Sequence, residues 1–190
     1  MPLAMRDPDA EGRLVEACQQ GDRDALRVLF ETYKDRIYSL AVHYSGDEAA
    51  AHDIVQDVFL RLFSRIKQFR GEARFGTWLC SLVVNACIDE HRRRRRLVPF
   101  LREDSANGPV ARRPQEESLM KRQVREAVQA AVAQLSPKLR LPILLRYLEN
   151  LSYNEIAAVL GCTKGTVASR LNRGHRDLAR RLASLRPPME

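Results

Sequence analysis

Residues 151–174 read LSYNEIAAVLGCTKGTVASRLNRG, and their spacing predicts two short helices crossing at a tight turn. Ser152 and Glu155 form the S-x-x-E pattern of a capping box, which opens a helix by satisfying its first backbone N–H groups. Gly161 supplies the backbone freedom that a sharp turn needs, and Thr163 is placed to cap the helix that follows. Ala157 is small where two crossing helices must come close. Val167, ten residues later, returns an apolar side chain to the first helix, and Ile156, Leu160 and Leu171 complete a small core. These offsets describe a helix-turn-helix. The second helix is expected to expose Lys164, Thr166, Ser169, Arg170, Asn172 and Arg173, side chains suited to base edges and phosphates in a major groove. A helical hairpin with a solvated basic face is the plainer reading; turn spacing and charge together favour a DNA reader. Repressors and response regulators share such a motif, so alone it does not name a function.

Upstream, the helical period continues. Val124, Ala127, Val128, Ala131, Val132 and Leu135 recur at three- and four-residue spacing. Ser136-Pro137 then pairs an N-cap with proline at the first helical position, opening a helix through Tyr147. Residues 98–114 break the pattern with Pro99, Asn107-Gly108-Pro109 and Pro114, and read as a tether. Before it, three stripes appear. The first runs Leu26, Leu29, Phe30, Tyr33, Ile37, Leu40, Ala41 and Tyr44, with Asp22 as its cap. The second runs Ile54, Val55, Val58, Phe59, Leu62, Phe63 and Ile66, capped by Asp47 after a Ser45-Gly46 break. The third runs Phe75, Trp78, Leu79, Leu82, Val83 and Ala86 and ends in Arg92–Arg96. No stretch alternates with period two. The expected fold is all-α: two small helical domains, a bundle and a helix-turn-helix unit, joined by a flexible linker.

Charge is divided between the halves. Residues 1–90 carry 11 Lys and Arg against 15 Asp and Glu, whereas residues 91–190 carry 21 against 9. A basic half suits a phosphate backbone, and an acidic half calls for another partner. Cys18, Cys80, Cys87 and Cys162 form no C-x-x-C pair and have no clustered histidines, so buried thiols are expected rather than a metal site. His52, Asp53 and Asp57 crowd one helix, yet two carboxylates and an adjacent histidine seldom converge from a single helix; a solvated acidic face is the simpler use. No apolar run reaches the roughly 20 residues of a membrane helix, and Met1–Gly12 is too polar for a signal peptide. A cytoplasmic protein with no membrane insertion, cofactor or small-molecule substrate is expected. A nuclease or recombinase would need carboxylates gathered near DNA, and those of the basic half are scattered.

Two further segments narrow the function. Residues 52–69 read HDIVQDVFLRLFSRIKQF, and residues 69–89 read FRGEARFGTWLCSLVVNACID. Together they resemble the second conserved region of the extracytoplasmic-function (ECF) group of sigma-70 RNA polymerase sigma factors. The pattern GD-x-x-A-x-x-x-L-F-x-x-Y from Gly21 resembles the start of that region, and the helices from about Glu117 resemble the family's fourth region. The segments occur in the family's order and span nearly the whole chain outside the termini and tether.

The resemblance implies a transcription initiation factor and not an enzyme. Its domains would be residues 11–97, which bind core polymerase and open the −10 element, a linker at 98–114, and residues 115–186, which read the −35 element. Positions matching the family's polymerase contact are Asp53, Gln56, Asp57, Leu60 and Arg61. The loop-like stretch Phe69–Thr77 matches the one that captures a flipped −10 base, with Phe69 and Asn85 in the pocket. Arg70, Arg74 and Phe75 flank it, since bases stack on rings while cations hold phosphates. Asn85 read alone is equally an exposed helix turn, and Trp78 aligns with the core. Arg92 and Arg93 of the arginine run would track phosphates. Core RNA polymerase, promoter DNA and an anti-sigma factor are the implied partners. Ala168, Asn172, Gly174 and His175 depart from residues usual in the family, which bears on −35 preference. The rival reading is a helix-turn-helix repressor or activator that is no polymerase subunit; the FRGEARFGTWL segment has no use there. Trypsin should cut first at Arg102, Arg112 or Arg113 within the tether. Mass spectrometry of a brief digest should find two resistant fragments, and a chain left whole there would contradict the two-domain reading.

Overall fold

The computed structural model describes residues 8–97 and 119–183; the tether expected at 98–114 lies outside them. Among the described residues the regular structure is helical throughout. The first lobe comprises α1 (Pro8–Gln19), α2 (Arg23–Ser45), α3 (Glu48–Arg65), a 3₁₀ turn (Ile66–Gln68) and α4 (Phe75–Leu97). The second comprises α5 (Leu119–Ala133), α6 (Pro137–Tyr147), α7 (Tyr153–Leu160) and α8 (Lys164–Arg181).

Local chemistry sets most boundaries. The Asp22 carboxylate accepts from the N–H groups of Asp24 at 2.8 Å and Ala25 at 3.1 Å. Gly46, at φ +69°, ends α2, and Asp47 accepts from Ala50 N–H at 2.8 Å to start α3. In the second lobe both halves of the capping box form: Ser152 Oγ accepts from Glu155 N–H at 3.3 Å, and Glu155 accepts from Ser152 N–H at 2.8 Å. Gly161 takes φ +58° and Thr163 caps α8 through Thr166 N–H at 3.2 Å. Ser136 behaves otherwise. It stands at the N-cap of α6, but its hydroxyl makes no capping bond. The Arg140 guanidinium instead donates to the carbonyls of Ala133 and Leu135 at the end of α5.

The first core gathers Leu29, Tyr33, Ile37, Leu40, Ile54, Leu62, Ile66 and Leu79, all nearly inaccessible. Each such side chain contributes about 1.5–3 kcal/mol by leaving water. The stripes of the sequence are here, with one exception: Phe63 is 41% exposed and only leans on Phe59. α1, which the periodicity did not predict, covers this core with Val15 and Cys18. Glu11, buried on α1, accepts a hydrogen bond from the Tyr33 hydroxyl. Gln19 donates to the carbonyls of Ile66 at 3.0 Å and Phe69 at 2.8 Å, tying α1 to the segment that leads into α4.

The second core centres on Leu135, Leu145, Ile156, Val167 and Leu171. α6 and α8 approach closely at Gly174, where an added Cβ would lie 3.1 Å from Ile143 Cγ1. The lobes also meet each other: α4 packs on α7, and α2 packs on α5 and α6. The Ser152 hydroxyl bonds only within its own helix end, so its loss should act on the second lobe. Ser152→Ala should cost about 1 kcal/mol of stability, while Glu155→Gln should cost less because glutamine serves the same box. Urea unfolding followed by circular dichroism measures both; equal losses would contradict the assigned geometry.

Candidate polymerase and promoter surfaces

A groove between α3 and α4 is lined by Asp53, Asp57, Arg61, Asp89, Glu90 and Arg93. Its charges are laced together. Arg61 donates to Asp57 at 2.9 Å and to Asp89 at 2.8 Å. Arg93 donates to Asp53 and to Glu90, each at 2.8 Å. Arg94 donates to Glu90 at 2.9 Å and to Asp47 at 3.1 Å; that guanidinium, followed by Ala50 N–H, holds the Asp47 carboxyl below its ordinary value. Exposed pairs of this kind contribute about 0–1 kcal/mol each, so they orient the carboxylates more than they hold the lobe together. Asp53 and Asp57 thus sit opposite arginines, a use of these carboxylates that needs no metal.

Beside the groove, Gln56 is exposed and Leu60 is 63% exposed. Phe63 extends this apolar strip by one turn of α3. Spacing had assigned Phe63 to the core; its ring instead lies at the edge of α3, 41% exposed, with Phe59 beside it at 5.8 Å.

The loop that leads into α4 is shorter than expected. Phe69–Arg74 is irregular, with Gly71 at φ +74°, whereas Gly76 and Thr77 are helical and buried. Phe69 and Trp78 are half-buried, and their rings meet at a tilt with centroids 5.3 Å apart. Phe75, expected beside a base, is only 3% exposed and packs on Tyr33 at 5.6 Å. It is the floor of this aromatic cluster rather than a contact surface, because α4 begins there and turns the ring into the core. Arg70 and Arg74 are exposed. Asn85 is also exposed, which removes its oddity: it lies off the apolar stripe, on the same side of α4 as Trp78, Ser81 and Arg92 by helical spacing. Within the arginine run, Arg92 reaches Asp89 only at 3.9 Å, while Arg93 is committed to Asp53 and Glu90. Sequence reasoning missed Gln19, whose two hydrogen bonds fix the carbonyl of Phe69. No pattern marks such a bond; only the acidic-apolar periodicity around Leu14, Val15 and Cys18 could have placed its helix.

On α8, Val167, Leu171 and Gly174 are buried. That orientation leaves Lys164, Ser169, Asn172 and Arg173 exposed, with Thr166 and Arg170 half-buried at the edges. Thr166 is partly engaged by Thr163, oxygen to oxygen 3.0 Å. Arg173 lies along the helix and donates to Ser169 Oγ at 3.2 Å.

The Sigma-70 region 2 family matches residues 29–97, and the Sigma-70, region 4 family matches residues 125–178. The chain is 32% identical to the ECF RNA polymerase sigma-E factor of Escherichia coli (strain K12), over 90% of this chain and 94% of that protein. It is 29% identical to the RNA polymerase sigma-H factor of Pseudomonas aeruginosa, over 95% and 98%. It is 28% identical to the ECF RNA polymerase sigma factor SigW of Bacillus subtilis, over 90% and 96%. The sigma factor RpoE of Bartonella quintana, solved in complex with the anti-sigma factor NepR, superposes with a TM-score of 0.69 at 25% identity, over 84% of this chain and 98% of that one. CnrH, solved with the cytosolic domain of CnrY, shares the fold at a TM-score of 0.68 and 22% identity, over 94% and 99%. Two family regions in their proper order, on a helical fold shared with a solved member, make this chain a member of the ECF group of sigma-70 RNA polymerase sigma factors.

Proposed function

We propose that the chain is the promoter-selecting subunit of RNA polymerase, with its work divided between the lobes. The first lobe docks on core enzyme through Asp53, Gln56, Asp57, Leu60 and Arg61 of α3. It takes up the −10 strand along Phe69, Arg70, Arg74, Asn85 and Arg92. The second reads the −35 element with Lys164, Thr166, Ser169, Arg170, Asn172 and Arg173 of α8. The reading keeps residues 11–97, 98–114 and 115–186 as first domain, linker and second domain, and adds to the first domain the start of α1 at Pro8. Tethering raises the effective concentration of each promoter contact once the other is made. Bond-forming chemistry stays with the polymerase. An anti-sigma partner is proposed by likeness to RpoE, which is seen with NepR. Nothing among the described helices is long and apolar enough to cross a membrane.

The observation that carries this reading is the coexistence of two unlike surfaces in one chain: an exposed leucine set among carboxylates on α3, and a basic helix-turn-helix face on α8. A repressor needs only the second. Leu60→Ala should change stability by about 0.5 kcal/mol or less, because the side chain is already in water. It should weaken core binding about tenfold, equivalent to about 1.4 kcal/mol. Fluorescence titration against core enzyme measures this, and unchanged affinity would remove α3 from the interface.

The two arginines of α8 should differ in kind. An arginine paired with guanine contributes roughly 1–3 kcal/mol of discrimination, whereas a phosphate contact adds about one unit to the salt slope. One of Arg170→Ala and Arg173→Ala should therefore lose preference at a single −35 position, and the other should bind every sequence more weakly with a shallower salt dependence. Salt titrations of holoenzyme on promoter variants separate them. If neither variant moves preference or slope, α8 does not read the promoter.

A further inference from the structure

The last turn of α1 is held on two sides. Val15 and Cys18, 4% and 2% exposed, seat it in the first core. Just past its end, Gly21 N–H donates to the Cys18 carbonyl and Asp22 N–H to the Ala17 carbonyl, each at 3.1 Å, with Gly21 at φ +88°. A left-handed glycine of this kind lets the chain turn back and satisfy the final carbonyls of a helix. Gln19 lies between these fixed points, so its backbone has little freedom and its side chain leaves α1 in a set direction.

That side chain ends where the 3₁₀ turn gives way to the loop. Gln19 Nε2 donates to the Ile66 carbonyl at 3.0 Å and to the Phe69 carbonyl at 2.8 Å. A primary amide carries two N–H donors on one nitrogen, and both are used here. Phe69 N–H in turn donates to the Ile66 carbonyl at 3.1 Å. Phe69 is thus gripped at its N–H by its own turn and at its carbonyl by α1, at the first residue of the irregular stretch that runs to Arg74.

Fixing both peptide groups of a residue fixes the direction in which its side chain departs. The Phe69 ring stands edge-on to Phe75, centroids 5.4 Å apart, and 5.3 Å from Trp78. Phe75 is buried while Phe69 and Trp78 are half-buried, so two open rings stand over a closed floor. The Gln19 bonds are not what fastens α1 to the lobe, since Val15, Cys18 and the bond between Glu11 and the Tyr33 hydroxyl already do that. What they add is the place of the rim ring. Unpaired bases bind proteins by stacking on such faces, and a platform ordered beforehand need not be ordered at the moment of capture.

We propose that Gln19 is a positioning residue for −10 base capture: its amide holds Phe69 over Phe75 and beside Trp78 in the free chain, so that an unpaired base meets a preformed platform. The inference rests on the reading of Phe69 as a base-contacting residue. Both donors of Gln19 are committed to carbonyls, so it acts through the loop and not on DNA.

Two measurements on the full chain test this. Trp78 is the single tryptophan, so its fluorescence reports on the cluster. Gln19→Met, of similar length but without a donor, should make Trp78 more open to acrylamide quenching. Gln19→Glu, which turns a carboxylate toward the two carbonyls, should do so further. The second measurement is permanganate footprinting of holoenzyme on a promoter that the wild-type enzyme opens. Gln19→Met should bind core enzyme as the wild type does, yet form about tenfold fewer open complexes, the scale of two lost hydrogen bonds. Because Gln19 acts through Phe69, its effect should shrink to about twofold or less in a Phe69→Ala background, whereas independent losses would multiply. Gln19→Glu repeats the comparison with a second side chain. Normal opening by both Gln19 variants, with opening lost in Phe69→Ala, would overturn the proposal and leave the reading of Phe69 standing. An undiminished loss in the Phe69→Ala background, or an equal loss of core binding, would make Gln19 an ordinary structural residue and also overturn it. Normal opening by Phe69→Ala would remove the reading beneath, and the proposal with it.

Discussion

The geometry of a single helix, α4, constrains everything else in this molecule. Side chains leave an α-helix every 100° or so, and α4 spends two of its sides on burial. One closes the first lobe's core through Leu79 and Val83; the other carries Thr77 and Cys80 toward α7, where Thr77 donates to Glu155. The polar work of the helix is thereby squeezed into what remains. Asn85 and Arg92 stand on one narrow strip, while Asp89 and Glu90 turn toward α3 and bind its arginine partners and those of the arginine run. A substitution between Phe75 and Cys87 on α4 therefore bears on one or other of its buried sides unless it falls at Trp78, Ser81 or Asn85.

The arginine run shows how such crowding sorts like residues into unlike roles. Arg92–Arg96 reads as a uniform basic patch, yet helical spacing sends Arg93 and Arg94 back over α3, onto Asp53 and Asp47, and leaves Arg92 pointing outward. Asp53 is assigned to polymerase and Arg93 was expected on DNA. Their pairing ties α3 to α4 across one groove and turns Arg93 away from the side of Asn85 and Arg92. Such pairs are weak in water, and a partner that captures either charge readily frees the other.

Features encoded by neighbours in sequence were legible there. Asp22, Asp47, Ser152, Glu155, Gly161 and Thr163 act within four residues of themselves, and each does what its type and position imply. What was not legible depends on residues far apart. Phe63 has core spacing but lies outside, because exposure is decided by the opposing helix and not by period. Phe69 and Phe75 look interchangeable in the loop sequence; only the start of α4 makes one the floor and the other the rim. α1 escaped notice because three apolar residues among acidic ones give little periodic signal. The second buried side of α4, made of Thr77, Cys80, Val84 and Cys87, went unread: a helix apolar on more than one side has neighbours on more than one side, and the stripe from Phe75 to Ala86 marks only the side that faces the first core.

The hydrogen bonds from Gln19 carry a consequence for how the first lobe is delimited. The matched family region begins at residue 29, inside α2, so a fragment trimmed to that boundary keeps every residue assigned to polymerase or to the −10 strand. It would nonetheless lack the amide that grips the Ile66 and Phe69 carbonyls and the carboxylate that receives the Tyr33 hydroxyl. Tyr33 in turn supports the Phe75 ring beneath Phe69 and Trp78. The N-terminal helix is thus a brace laid across the back of the aromatic cluster, and the smallest unit that keeps its rings in register starts some twenty residues before the smallest unit that looks homologous.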